Sequence, residues 1–212
     1  GKYFFIYPSK VLATIMYEIK RNNKLRLIAR LDIKNDYVVK GINFEGLRKI
    51  GSPKELALKY YRSGIDEIMY MDVVASLYER NTITKYIKEA AKNIFVPLTV
   101  GGGIRSLDDI KDVLNSGADK VAINSAAIKN PDLIKQASEE IGSQSIIISI
   151  QAKQIESDKW EAYYDCGREK SGLNVLNWAR TSQNLGAGEL LITSIGTQTV
   201  SVAPSFIETS PL

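Results

Sequence analysis

Histidine is absent from this 212-residue chain, and cysteine occurs once, at Cys166. Without histidine the commonest general base and metal ligand is missing, so proton transfer falls to Asp, Glu, Lys or Tyr. One cysteine excludes an internal disulfide and fits a reducing compartment, so a cytoplasmic protein is expected. Long apolar runs are missing too. The most apolar stretch, Tyr3 to Tyr17, is interrupted by Pro8 and Lys10 and has neither the length of a membrane span nor the basic start of a signal peptide. Blocks of like charge are scarce. The 28 Lys and Arg against 24 Asp and Glu leave a net charge of +4, spread along the chain. That argues against nucleic-acid binding and is compatible with an anionic small-molecule substrate.

What the chain does have is a rhythm. From Leu25 onward, short apolar runs alternate with amphipathic segments of helical period. The runs are Leu25–Asp32, Glu67–Asp72, Val96–Val100, Lys120–Asn124, Ile146–Gln151 and Glu189–Ser194. Their near-continuous Ile, Val and Leu content predicts parallel strands covered on both faces. Ser52-Pro53, with a capping hydroxyl and then proline in the first turn, Ser106 with Asp108 and Asp109, and Asn130-Pro131 mark helix starts, and Gly64, Gly117 and Gly142 mark helix ends. Repeated strand–helix units with right-handed crossovers leave a doubly wound sheet or a barrel.

An internal repeat decides between them. Ala29-Arg-Leu-Asp32-Ile-Lys34 matches Ile148-Ser-Ile-Gln151-Ala-Lys153, with Asp32 and Gln151 offset by 119. Gly64-Ile-Asp-Glu67-Ile-Met-Tyr-Met-Asp72 matches Gly186-Ala-Gly-Glu189-Leu-Leu-Ile-Thr-Ser194, with Asp72 and Ser194 offset by 122. A duplicated half pairs the first and second strands with the fifth and sixth. That is the plan of a (β/α)8 TIM barrel.

Barrel chemistry sits at the carboxyl ends of the strands. There lie Asp32, Asp72, Gly101-Gly102-Gly103, Asn124-Ser125, Gln151 and Thr193-Ser194. The glycines let backbone approach an anion, and Asn124 and Ser125 end the next strand with further donors, so a phosphate is expected there. Asp32, closing an apolar strand, is read as an acid/base residue. The plainer alternative is an ion-paired carboxylate, with Lys34 nearby. Lys40, in a loop after the first strand, has the reach for a phosphate or is simply solvated. At the opposite end, Arg26, Glu67, Lys120 and Glu189 each start a strand, where charges are usually just solvated.

Taken together, Leu31-Asp32-Ile-Lys, Val39-Lys40-Gly41, Asp72-Val-Val-Ala-Ser76, Pro97-Leu-Thr-Val-Gly-Gly-Gly-Ile-Arg-Ser106, Gly117-Ala-Asp-Lys-Val-Ala-Ile-Asn-Ser125 and Gly186-Ala-Gly-Glu189 resemble the cyclase subunit of imidazole glycerol phosphate synthase. The resemblance runs from about Arg26 to Ser194. It implies a lyase of histidine biosynthesis with no cofactor and no metal. A glutaminase subunit would form a heterodimer with it and pass ammonia through the barrel to a phosphorylated substrate at the mouth. The products would be imidazole glycerol phosphate and aminoimidazole carboxamide ribotide. Asp32 becomes the first acid/base residue. Lys40 and Asp72 become substrate-side residues, Gly102, Gly103, Asn124, Ser125 and Thr193 a phosphate site, and Arg26, Glu67, Lys120 and Glu189 an ammonia gate.

Two departures qualify that expectation. The family's second catalytic carboxylate ends the fifth strand, where this chain has Gln151, and an amide exchanges no proton near neutral pH. Arg30 and the run Tyr70 to Tyr78 also resemble a related branch that uses the same ammonia route to amidate a sugar for surface polysaccharide. A non-catalytic barrel that serves only as partner of a glutaminase is the third possibility. Second, residues 1–24 and 195–212 match nothing in the family pattern. The expectation is therefore a foreign leader, a barrel broken off after about six strands with two open edges, and a chain that is poorly stable and inactive as a cyclase.

Overall fold

The computed structural model of the chain describes residues 2–6, 25–42, 46–74 and 80–195. Most of the leader, the tail from 196 and part of the Tyr70 to Tyr78 run therefore lie outside the described residues. In chain order the elements are β1 (Lys2–Ile6), β2 (Leu25–Lys34), β3 (Tyr37–Ile42), β4 (Gly46–Gly51), α1 (Pro53–Arg62), β5 (Glu67–Asp72) and α2 (Arg80–Asn93). There follow β6 (Leu98–Gly101), α3 (Leu107–Asn115), β7 (Lys120–Ile123), α4 (Ser125–Lys129) and α5 (Asp132–Ile141). After a 3-10 turn come β8 (Ile146–Glu156), β9 (Lys159–Tyr164), β10 (Glu169–Asn174), α6 (Val175–Asn184) and β11 (Glu189–Ile195). The six apolar runs form β2, β5, β6, β7, β8 and β11, neighbours in that order and all parallel.

Alternation along each strand separates two faces. Leu27, Ala29, Leu31, Ile33, Ile68, Tyr70, Leu98 and Val100 pack outward against α1 and α2. Val121, Ile123, Ile146, Ile148 and Ile150 pack outward with Leu133, Ile134 and Trp178 of α5 and α6. The other face forms its own small cluster, Ile28, Met69, Ala122, Ile147 and Leu191, drawn from strands alone. A sheet with helices on one face and its own side chains filling the other is curled, not doubly wound. Each fully buried Leu or Ile contributes about 1.5–3 kcal/mol, which is why both faces of these strands read as apolar.

The repeat is visible in three dimensions. β2 continues into the antiparallel hairpin β3–β4, and β8 into the antiparallel hairpin β9–β10. Each hairpin is followed by a helix and then a parallel strand. Nothing in the apolar pattern predicts these hairpins. Lys40 therefore lies on β3, in register with Arg48, and not in a loop.

Helix and strand ends differ in detail from the sequence pattern. Pro53 does open α1, but Ser52 makes no side-chain cap bond. Asn130 caps no helix with its side chain. The short α4 ends there, Pro131 takes the cap position of α5, and only the Asn130 carbonyl contributes, accepting from Leu133 N at 3.1 Å. β6 begins at Leu98 because Pro97 has no amide hydrogen to add to the ladder. Ser106 does form a reciprocal capping box with Asp109.

The leader also contributes structure. Lys2–Ile6, expected to lie outside the barrel, run parallel to β2 in a register from Lys2 against Leu25 to Ile6 against Ala29. One of the two edges expected to be open is thus paired. Among the described residues, β11 pairs with β8 alone.

Candidate active site

Three layers of side chains fill the inner face, and each is two residues further along its strand than the one below. The floor holds Arg26, Glu67, Lys120 and Glu189. Two residues on lie Ile28, Met69, Ala122 and Leu191, a closed apolar layer in which Met69 is 1% exposed and Leu191 2%. Two residues on again stand Arg30, Met71, Asn124 and Thr193 at the mouth.

The four floor charges, whose pattern alone suggests solvated ends, form a ring. The Arg26 guanidinium lies 2.9 Å from Glu189 Oε2 and 3.3 Å from Glu67 Oε2. Lys120 Nζ lies 3.2 Å from Glu67 Oε2 and 2.7 Å from Glu189 Oε1. Each carboxylate thus sits between two cations and each cation between two carboxylates. Glu67 is fully buried, and its second oxygen accepts from Thr99 Oγ1 at 2.6 Å. A buried carboxylate without such partners would be strongly destabilising; here every oxygen of Glu67 is used. The Arg26–Glu189 contact also joins β2 to β11, strands that do not pair with each other.

At the mouth, Asn124 Nδ2 donates to Gln151 Oε1 at 3.1 Å and to the Tyr163 carbonyl at 3.3 Å. Thr193 is the register partner of Gln151. Ser125 Oγ accepts from the Asp165 amide at 3.0 Å, so the β9–β10 turn reaches over the end of β7. Gly102 and Gly103 have φ of +94° and +69°, and a Cβ on Gly102 would sit 2.2 Å from the Asp72 carbonyl oxygen. Asp72 Oδ1 accepts from Val74 N at 2.9 Å, which fixes the turn after β5. The strand ends from Asp72 to Thr193 therefore come together as one polar surface. Lys40 is exposed on the rim hairpin.

Asp32 is ion-paired, but not to Lys34. Arg30 Nε donates to Asp32 Oδ1 at 2.8 Å, with both side chains largely buried. Arg30 and Thr99 are inner-face polar residues that sequence reasoning leaves out of the site. The two-residue alternation from Arg26 through Ile28 to Asp32 is the signal that places Arg30 inside.

A curled α/β barrel with a charged floor and polar strand ends at the mouth belongs to the class of barrel enzymes that work at the carboxyl ends of their strands. Within that class, the chain belongs to the family described as histidine biosynthesis protein, whose profile matches residues 26–200. It is 53% identical over 173 residues to the imidazole glycerol phosphate synthase subunit HisF of Legionella pneumophila, covering 82% of each chain. The subunit of the same name from Hydrogenobaculum sp. is 50% identical over 170 residues, covering 80% of this chain and 68% of its own. That of Lactococcus lactis is 51% identical over 178 residues, covering 82% and 69%. Among the described residues no helix is long and apolar enough to cross a membrane.

Proposed function

We propose that this chain is the cyclase subunit of an imidazole glycerol phosphate synthase, using ammonia delivered through its floor by a glutaminase subunit. The observation that carries the reading is the closed ring of Arg26, Glu67, Lys120 and Glu189 beneath an apolar layer and a polar mouth. A neutral molecule such as ammonia crosses an apolar layer at low cost, whereas ammonium and hydrated ions do not. The ring makes the natural entrance, and the N-terminal face around it the surface for the glutaminase.

At the mouth, the backbone of Gly102 and Gly103 with Asn124, Ser125 and Thr193 holds one phosphate of the substrate. Asp72 and Lys40 lie on the substrate side, Lys40 from the rim. Asp32 carries the first proton transfer. Gln151 stands where a second carboxylate is expected, and it is already engaged by Asn124. This favours a second reading, in which the same ammonia route serves amidation of a sugar instead of cyclisation.

Turnover measured with ammonium salt and the ribulosyl-linked aminoimidazole carboxamide nucleotide tests the assignment. With β1 covering one of the edges expected to be open, the inactivity expected from the sequence gives way to slow formation of imidazole glycerol phosphate, and Gln151→Asp is expected to raise the rate by about 10²-fold or more, the usual worth of a positioned acid/base group. No product from either form sinks the cyclase reading and leaves amidation of a sugar or a non-catalytic role beside a glutaminase.

A further inference from the structure

We propose that Arg30 is a positioning residue of the reaction: its guanidinium holds the Asp32 carboxylate in one orientation, leaving Oδ2 for the substrate. Arg30 and Asp32 share the inner face of β2, above Ile28 and in register with Met69 and Met71 of β5. A guanidinium placed inside a barrel is expensive to desolvate, and an apolar residue like Ile28 one step below would fill the position at lower cost. Flexible methionines beside it provide the room. The Nε–Oδ1 bond of 2.8 Å spans only two residues of one strand. It therefore fixes the Asp32 side chain relative to the strand that also positions the mouth.

Among the described residues, Asp32 accepts only this bond, on Oδ1. Its side chain is 19% exposed, and with Oδ1 held by Arg30, Oδ2 is the oxygen left for a bound molecule. A carboxylate held this way keeps one oxygen as a fixed acceptor, whereas an unheld one samples several rotamers. The role rests on the proposed use of Asp32 as the acid/base residue.

The test compares the native chain with Arg30→Met and Arg30→Lys in two measurements. In ammonia-dependent turnover, with each form assayed well below its own melting temperature, Arg30→Met is expected to lose on the order of 10- to 100-fold in kcat, with KM within about twofold. Arg30→Lys recovers part of the loss. In crystals, Asp32 is expected in one rotamer in the native and Arg30→Lys proteins and in several in Arg30→Met. A rise in KM with kcat preserved would make Arg30 a substrate contact and overturn the proposal. So would an ordered, unmoved Asp32 in Arg30→Met. If the native chain forms no product, the cyclase reading fails, while the rotamer comparison still decides the role of Arg30.

Discussion

Single residues carry the most specific information here, and they differ in how far their neighbours in the chain announce them. Asp32 and Gln151 are legible because each closes an apolar run. The partner of Asp32 is not, since Lys34 and Arg30 are equally close in sequence and alternation puts both on the face of Asp32; Lys34 stands exposed at the hairpin end of β2, and it is Arg30, inside the barrel, that pairs. Gly102 is legible as a flexible turn residue, but its constraint comes from another strand. With φ at +94° and the Asp72 carbonyl oxygen 2.2 Å from where a Cβ would stand, no side chain fits. Gly102→Ala is expected to cost about 1–3 kcal/mol of stability, measured by chemical denaturation, and to weaken phosphate binding. An unchanged denaturation midpoint would contradict that.

At the scale of elements, the six parallel strands are legible because burial on both faces writes itself into the sequence as unbroken Ile, Val and Leu. The hairpins β3–β4 and β9–β10 are not. They extend beyond the helix-covered core, and residues such as Lys153, Gln154 and Glu156 on β8 are exposed and polar, with no apolar run to mark a strand. β1 precedes the family pattern, which makes it look like a leader, yet it takes the edge of β2 that a closed barrel gives to its last strand. Its contribution is main-chain hydrogen bonding, which proline interrupts. Of Phe4→Pro and Phe5→Pro, neighbours whose amides point to opposite sides, one is expected to lower the melting temperature clearly and the other much less. Equal and negligible effects of both would show that β1 adds nothing to the stability of the barrel.

For the whole molecule, the curl of the sheet is what turns scattered charges into a ring and scattered strand ends into a mouth. Buried tyrosines add a whole-molecule response to pH. Burial pushes Tyr60 up to about 12 from 10.0. Tyr86 is also pushed up to about 12, first by burial and then by the hydrogen bond its hydroxyl donates to Asp36 at 2.7 Å. Burial raises Tyr70 as well, helped by the charge of Glu89. A folded state that holds these protons more tightly than the unfolded chain keeps their full stabilisation below pH 10 and loses it between about 10 and 12. Thermal melts are therefore expected to be flat from neutral pH to near 10 and to fall steeply above it. Retained stability through pH 12 would contradict this.

By itself the sequence determined the parallel βα alternation, the duplicated half and the polar residues at the strand ends. Apolar periodicity, capping residues and glycine turns all act over a few neighbours in the chain. Only the tertiary structure decided that Arg26, Glu67, Lys120 and Glu189, more than 160 residues apart at the extremes, are one ion-pair ring. It likewise decided that Arg30 clamps Asp32 and that Lys2–Ile6 lie along β2. Electrostatic contacts of this kind depend on distances of a few ångströms between side chains brought together by the curl of the sheet, and no local pattern records those distances.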